Sequence, residues 1–195
     1  MIMDPRLAKG VILAAGIAMF VIRAPHGSRS YGLKVTRSGK GRREVFLLTL
    51  AWIGFFVPLI WAVSPIFSVA DYPLRLGPLL AGVVCLVVGL WFFHRSHVDL
   101  GTNWSITLEV RENHQLVTHG VYRSVRHPMY AAIFLYAVGQ VLVVPNWLAG
   151  PSYLIAIAIL FAFRVGAEEQ MMLETFGDEY EAYMSKTKRL VPGVW

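Results

Sequence analysis

Charge is scarce in this chain: Asp, Glu, Lys and Arg make up 15% of 195 residues, against roughly 25% in ordinary soluble domains. Apolar residues reach 56% and mean hydropathy is +0.54. Such a chain need not bury its apolar surface against itself, because lipid can take it. Cysteine is almost absent. Cys85 is the single one, so no disulfide framework exists and the redox compartment cannot be read. A cleavable leader is not expected either: the run from Gly10 to Ile22 meets Arg23-Ala24-Pro25, a basic flank in place of a small-residue cleavage site. No Gly-x-Ser-x-Gly, Walker or dinucleotide fingerprint occurs, and Ser38-Gly39-Lys40-Gly41 follows no strand and lacks phosphate-loop spacing. Internal repeats, low-complexity tracts and a detachable second domain are lacking too. The net charge of +6 does not point to nucleic acid, because the basic residues gather in loops beside apolar runs. That is the membrane pattern.

What is present is a series of long apolar runs, which predict an all-α integral membrane protein of one domain over residues 1–195. Spans are expected at 7–24, 45–63, 76–93, 129–143 and 152–166, each near or above the minimum of roughly 17 residues. Residues 25–43 carry Arg29, Lys34, Arg37, Lys40, Arg42 and Arg43 and no acid. This loop and residues 94–127 and 167–195 are expected in the cytoplasm, with the N-terminus outside and the C-terminus inside. In a prokaryote that membrane would be the plasma (inner) membrane. Pro128 through Phe163 has no charged residue, which is too long for one helix. Val144-Pro145-Asn146 and Gly150-Pro151 punctuate it, so the last two spans form a tight hairpin. Beyond them a cytoplasmic helical segment is expected, with Asp178 as cap of its last helix and Glu181 as the reciprocal partner.

Polar chemistry crowds into residues 114–130. A helix start is predicted at Pro128, with His127 at its cap and Arg126 just outside, so the free N–H groups of that first turn form an anion site. Glu168 and Glu169 follow the fifth run. Ionisable groups at membrane depth are costly and tend to line sites. Arg164 and Glu168 are four apart and can pair, which leaves Glu169 turned about 100° away, facing the Arg126/His127 cluster. His94, His97, His114, His119 and His127 match no metal-ligand spacing, so no metal is expected. The Asn103-Trp104-Ser105 sequon falls in a cytoplasmic loop and carries no meaning there.

The pattern His114-x-Leu116-Val117-x-x-Gly120-x-Tyr122-x-x-x-Arg126-His127-Pro128-x-Tyr130 resembles the signature of the isoprenylcysteine carboxyl methyltransferases and their prokaryotic relatives. Arg164…Glu168-Glu169…Phe176-Gly177-x-Glu179-Tyr180-x-x-Tyr183 is similar to their C-terminal block, and Gly101-x-Asn103-Trp104-Ser105 fits ahead of both. The likeness covers about half the chain. It implies S-adenosylmethionine as methyl donor, S-adenosylhomocysteine as product, and no Rossmann domain. By that likeness His114, Leu116, Val117, Gly120, Tyr122, His127, Tyr130, Glu168 and Glu169 would hold the cofactor. Arg126 or Arg164 would orient an anionic acceptor, with Glu169 beside them in the reacting site. The acceptor would be a prenylcysteine-like or other lipid entering from the bilayer. Ala132 replaces a common glycine and Gln170 interrupts a longer acidic run, and both bear on pocket shape. Replacing Glu169 by Gln or Arg126 by Ala is expected to reduce methyl transfer in a folded protein. A phospholipid amine N-methyltransferase and an NADPH-dependent sterol-type reductase are the competing readings, since related Arg-His-Pro-x-Tyr versions occur in both. Oligomeric state cannot be read.

Overall fold

The computed structural model describes residues 1–30, 35–39, 41–107, 109–111 and 115–193, without the side chains of 27–30, 36, 37, 102, 110 and 111. Its helices are α1 (Pro5–Ser30), α2 (Arg42–Val63), α3 (Leu76–Leu100), α4 (Pro128–Val143), α5 (Ala149–Phe176) and α6 (Asp178–Lys186). The all-α expectation misses one feature. Short strands β1 (Val35–Ser38) and β2 (Glu109–Arg111) pair antiparallel, Ser38 opposite Glu109.

Among the described residues four helices, α1, α2, α3 and α5, are long and apolar enough to cross a membrane by length and composition. α4 has 16 residues, about 24 Å of helix, short of the roughly 30 Å hydrocarbon core. Residues such as Phe46, Ile53, Val84, Val87, Trp91 and Phe163 stay exposed on these helices. An apolar outer face is what lipid requires of a spanning bundle.

The helices outrun the predicted spans. α3 continues through His94 to Leu100 and stops where Gly101 (φ 58°) donates its N–H to the His97 carbonyl. α5 continues to Phe176 and stops at Gly177 (φ 52°), whose N–H bonds the Leu173 carbonyl. Hydropathy marks where lipid ends, whereas helical hydrogen bonding continues until a residue that tolerates positive φ. Gly177 also occupies the cap of α6 with no side-chain cap bond, so Asp178 lies in the first turn and is not the cap. Gly150 and Pro151 fall in the first turn of α5, where proline's missing N–H costs nothing. The hairpin turn between α4 and α5 is held by Asn146. Its Oδ1 accepts from the N–H of Ala149 at 2.7 Å, and its Nδ2 donates to Asp71 at 2.7 Å.

Glycines set how closely α3 and α4 pack. A side chain on Gly82 would meet the Gly139 carbonyl at 2.8 Å, and one on Gly89 would meet the Tyr136 nitrogen at 2.9 Å. The contacts run in opposite order along the two helices, so the pair is antiparallel. Close backbone approach of this kind substitutes for the hydrophobic drive that lipid removes. Gly89→Ala is therefore expected to lower the thermal midpoint in detergent by on the order of 5 °C, an overpacking cost of about 1–3 kcal/mol. Gly77→Ala, with nothing within 4 Å, should leave the midpoint nearly unchanged.

Candidate functional site

Four segments meet at one end of the bundle: the end of α3, the loop before α4, the second half of α5, and the chain beyond α6. α4 starts at Pro128 with His127 at its cap. The backbone of that loop is strapped by the C-terminal chain, as the N–H groups of Arg126 and His127 donate to the Lys188 and Arg189 carbonyls at 2.8 and 3.0 Å. Tyr183 adds a hydroxyl bond to the Tyr122 carbonyl at 2.6 Å. Gly120 (φ 58°) allows the turn that brings the Val121 N–H within 2.9 Å of Asp99, and any side chain there would strike Asp99.

Glu169 is the centre of a buried ion cluster. Its carboxylate, with 5% of the side chain exposed, accepts from Arg126 Nε at 3.0 Å, His127 Nε2 at 3.3 Å and Arg189 Nη2 at 2.7 Å. Arg126 is further committed, through Nη1, to the Met184 and Thr187 carbonyls. Glu168 faces differently, with 25% of its side chain exposed. It accepts from the Tyr130 hydroxyl at 3.2 Å and lies 3.6 Å from His127 Nδ1 and 3.9 Å from Arg164 Nε. Arg164 also reaches Glu44 at 3.5 Å and the Ile106 carbonyl at 3.0 Å.

Arg126, His127, Tyr130, Arg164 and Glu168 border a cavity of about 230 Å³. One end is polar and aromatic, with Tyr122, His127, Tyr130, Glu168, Tyr180 and Tyr183. The other runs between α1, α2 and α5 and is apolar, with Met19, Phe20, Leu48, Phe55, Ile157 and Leu160. Of the residues named from sequence, Leu116, Val117, Tyr122, Arg126, His127, Tyr130, Arg164 and Glu168 line this cavity. Glu169 and Gly120 stand behind its wall, one in the ion cluster and one against Asp99. His114 lies outside the described residues. Arg189, Glu44, Asp99 and Arg23 were not singled out from sequence. Arg189 is contiguous with no motif, and Glu44 and Arg23 read as flanks of apolar runs. Among the described residues no group of three metal-ligating side chains gathers.

Burial alone would lower the His127 pKa, but hydrogen bonds and charge from Glu168 and Glu169 outweigh it and raise the value. The two carboxylates thus favour the imidazolium form. A raised folded-state value stabilises fully below the unfolded pKa of about 6.5 and is lost as pH rises through the folded one. The thermal midpoint should therefore fall on raising the pH from about 6.5, and His127→Gln should flatten that fall. An equal slope in both proteins would remove the imidazolium from the cluster.

A lipid-exposed helical bundle enclosing a polar site at one end is an integral membrane protein with an internal small-molecule pocket. Comparison with known proteins sharpens the class. The model of the isoprenylcysteine carboxyl methyltransferase (ICMT) family matches residues 82–174. A probable protein-S-isoprenylcysteine O-methyltransferase of Oryza sativa subsp. indica is 31% identical over 113 residues, 57% of this chain and 59% of that protein. The protein-S-isoprenylcysteine O-methyltransferase of Tribolium castaneum is 29% identical over 147 residues, 73% of this chain and 49% of that protein. A solved eukaryotic intramembrane Ras methyltransferase ICMT superposes with a TM-score of 0.55 at 25% identity, covering 80% of this chain and 54% of that one. Over residues 82–174 the chain is similar to the isoprenylcysteine carboxyl methyltransferase family. It spans about two-fifths to three-fifths of the length of the curated relatives it matches.

Proposed function

We propose that this chain transfers a methyl group from S-adenosylmethionine to the carboxylate of a prenylcysteine-like lipid. The observation that carries the reading is one continuous cavity, polar at the Glu168 end and apolar between α1, α2 and α5. The match to the family model over residues 82–174 supports the reaction class, and the relatives' names supply prenylcysteine as the acceptor type.

The polar end suits the donor. Tyr122, Phe176 and Tyr180 offer flat apolar faces for a purine, and Glu168 offers a partly exposed carboxylate for an ammonium or ribose hydroxyl. When bound, S-adenosylmethionine supplies a methyl already activated by its sulfonium. What the protein adds is placement and dryness. Tyr130 and His127 fix the Glu168 carboxylate. The aromatic and aliphatic walls keep water from the nucleophile. An acceptor carboxylate is ionised at neutral pH and needs no base. An amine acceptor would need one, yet His127, Glu168 and Glu169 are tied to one another and to the neighbouring arginines. That disfavours the N-methyltransferase reading. Nothing in the relatives' names favours a reductase.

For orientation, the end holding Arg42, Arg43, Arg126 and Lys188 is assigned to the cytoplasm, where a soluble cofactor can enter while the lipid arrives through the bilayer. Calorimetric titration of the purified protein with S-adenosylhomocysteine tests the donor. Saturable one-site binding is expected. Binding of NADPH and none of S-adenosylhomocysteine would overturn the reading.

A further inference from the structure

Arg23 is a cation that the polar network does not use. It sits on α1, seven residues inside the C-terminal end of Pro5–Ser30, and lines the same cavity as Tyr130 and Glu168. Its guanidinium carbon lies 5.3 Å from the ring centre of Trp52 on α2 and 5.3 Å from that of Trp104, beyond α3. Two indoles therefore occupy its neighbourhood through cation–π contact, which uses the charge but satisfies no N–H. Among the described residues Arg23 makes no ion pair and no hydrogen bond, and its Nε is enclosed without a partner. Its titratable neighbours include Tyr153, His97 and Arg164, and Arg164 repels it. Arg164 is balanced by Glu44 and Glu168, and Arg126 by Glu169.

We infer that Arg23 receives the carboxylate of the lipid acceptor and so decides that the acceptor is an acid. The inference rests on the methyl-transfer reading and deepens it. A half-buried guanidinium whose Nε is enclosed without a partner is costly to keep, and a planar carboxylate is the group whose geometry fills guanidinium donors two at a time. The flanking walls are apolar: Met19, Phe20, Leu48, Ala51 and Phe55. An isoprenoid chain lying along them would leave its polar end against Arg23, while the indoles hold the side chain in place. The cavity thus has two unlike ends, a carboxylate (Glu168) for the donor's cationic or hydroxyl groups and a guanidinium (Arg23) for the acceptor. Of the cavity-lining arginines, Arg126 and Arg164 have acids within ion-pair distance and Arg23, among the described residues, has none. An amine head group would meet like charge there.

The test compares binding of N-acetyl-S-farnesylcysteine and its carboxamide, both read by quenching of tryptophan fluorescence, in wild type, Arg23→Gln and Arg23→Met. Wild type should bind the acid at least ~10-fold more tightly than the amide, the usual scale for a hydrogen bond to a charged group. Both variants should lose that ratio by weakening acid binding alone. Arg23→Met suits the apolar lining and serves if the Gln variant does not fold. S-adenosylhomocysteine binding, assigned above to the Glu168 end, should be unchanged in each and reports the intact site. Variants that keep the acid preference while binding the product normally would overturn the role of Arg23 and leave the methyl-transfer reading standing. A wild-type protein that binds neither farnesyl compound nor S-adenosylhomocysteine would overturn that reading itself.

Discussion

Glu169→Ala should lower the thermal midpoint by on the order of 10 °C and release the C-terminal strap. The carboxylate is the shared counter-ion of Arg126, His127 and Arg189, and it is almost fully enclosed. Removing one partner of a buried ion cluster leaves the others uncompensated, a penalty of roughly 3–5 kcal/mol, and at this chain length each kcal/mol moves the midpoint by about 2–4 °C. Arg126 would retain its bonds to Met184 and Thr187, which sets the effect toward the lower end. The residue joins α5 to the loop before α4 and to the chain beyond α6. Limited proteolysis should accordingly show cleavage after Lys186 or Lys188 that the wild type resists. An unchanged midpoint and an unchanged digest would mean that the strap is held by its backbone bonds alone. The result also separates two outcomes for Glu169→Gln: an expectation of lost activity in a folded protein, and the weakened fold this geometry predicts.

Glu168→Ala, one residue along, should behave in the opposite way. Its loss is expected to weaken S-adenosylhomocysteine binding by on the order of 10–100-fold, the range for a buried charge-assisted contact, with little change in midpoint. The neighbours keep other partners: His127 still pairs with Glu169, and Arg164 still reaches Glu44 and the Ile106 carbonyl. Tyr130→Phe removes only the hydroxyl that steadies Glu168 and should cost roughly 5-fold. If Glu168→Ala melted early and still bound the product normally, the roles of the two glutamates would have to be exchanged.

Adjacent glutamates with unlike duties show where sequence reading reaches and where it stops. Proline at the start of α4, the Val144–Leu148 turn and the apolar runs all leave local marks, because φ restriction and hydropathy act within a few residues. Pro128 opens its helix as the sequence requires. The 100° offset between Glu168 and Glu169 was legible, and so was the meeting of acidic and basic patches. What the offset could not show is that Arg189, twenty residues on in a segment of no periodicity, closes on Glu169. Pairing of this kind depends on the path of the chain after Gly177. The ends of α3 and α5 were hidden for a related reason, since a charged helix continuing out of lipid looks like loop when only hydropathy is counted. The ribbon of β1 and β2 is too short to show alternation. Arg23 read as the border of an apolar run, and its importance comes from Trp52 and Trp104 arriving from elsewhere in the chain.

Incubating the purified protein with methyl-labelled S-adenosylmethionine and N-acetyl-S-farnesylcysteine, then treating the lipid fraction with alkali, tests the whole account at once. A carboxyl ester is cleaved and its label leaves as methanol, while methylated nitrogen or sulfur keeps it. Lipid-bound, alkali-labile label in wild type, reduced in Glu168→Ala, is the predicted result. Label that survives alkali, or label that never reaches the lipid, would contradict it.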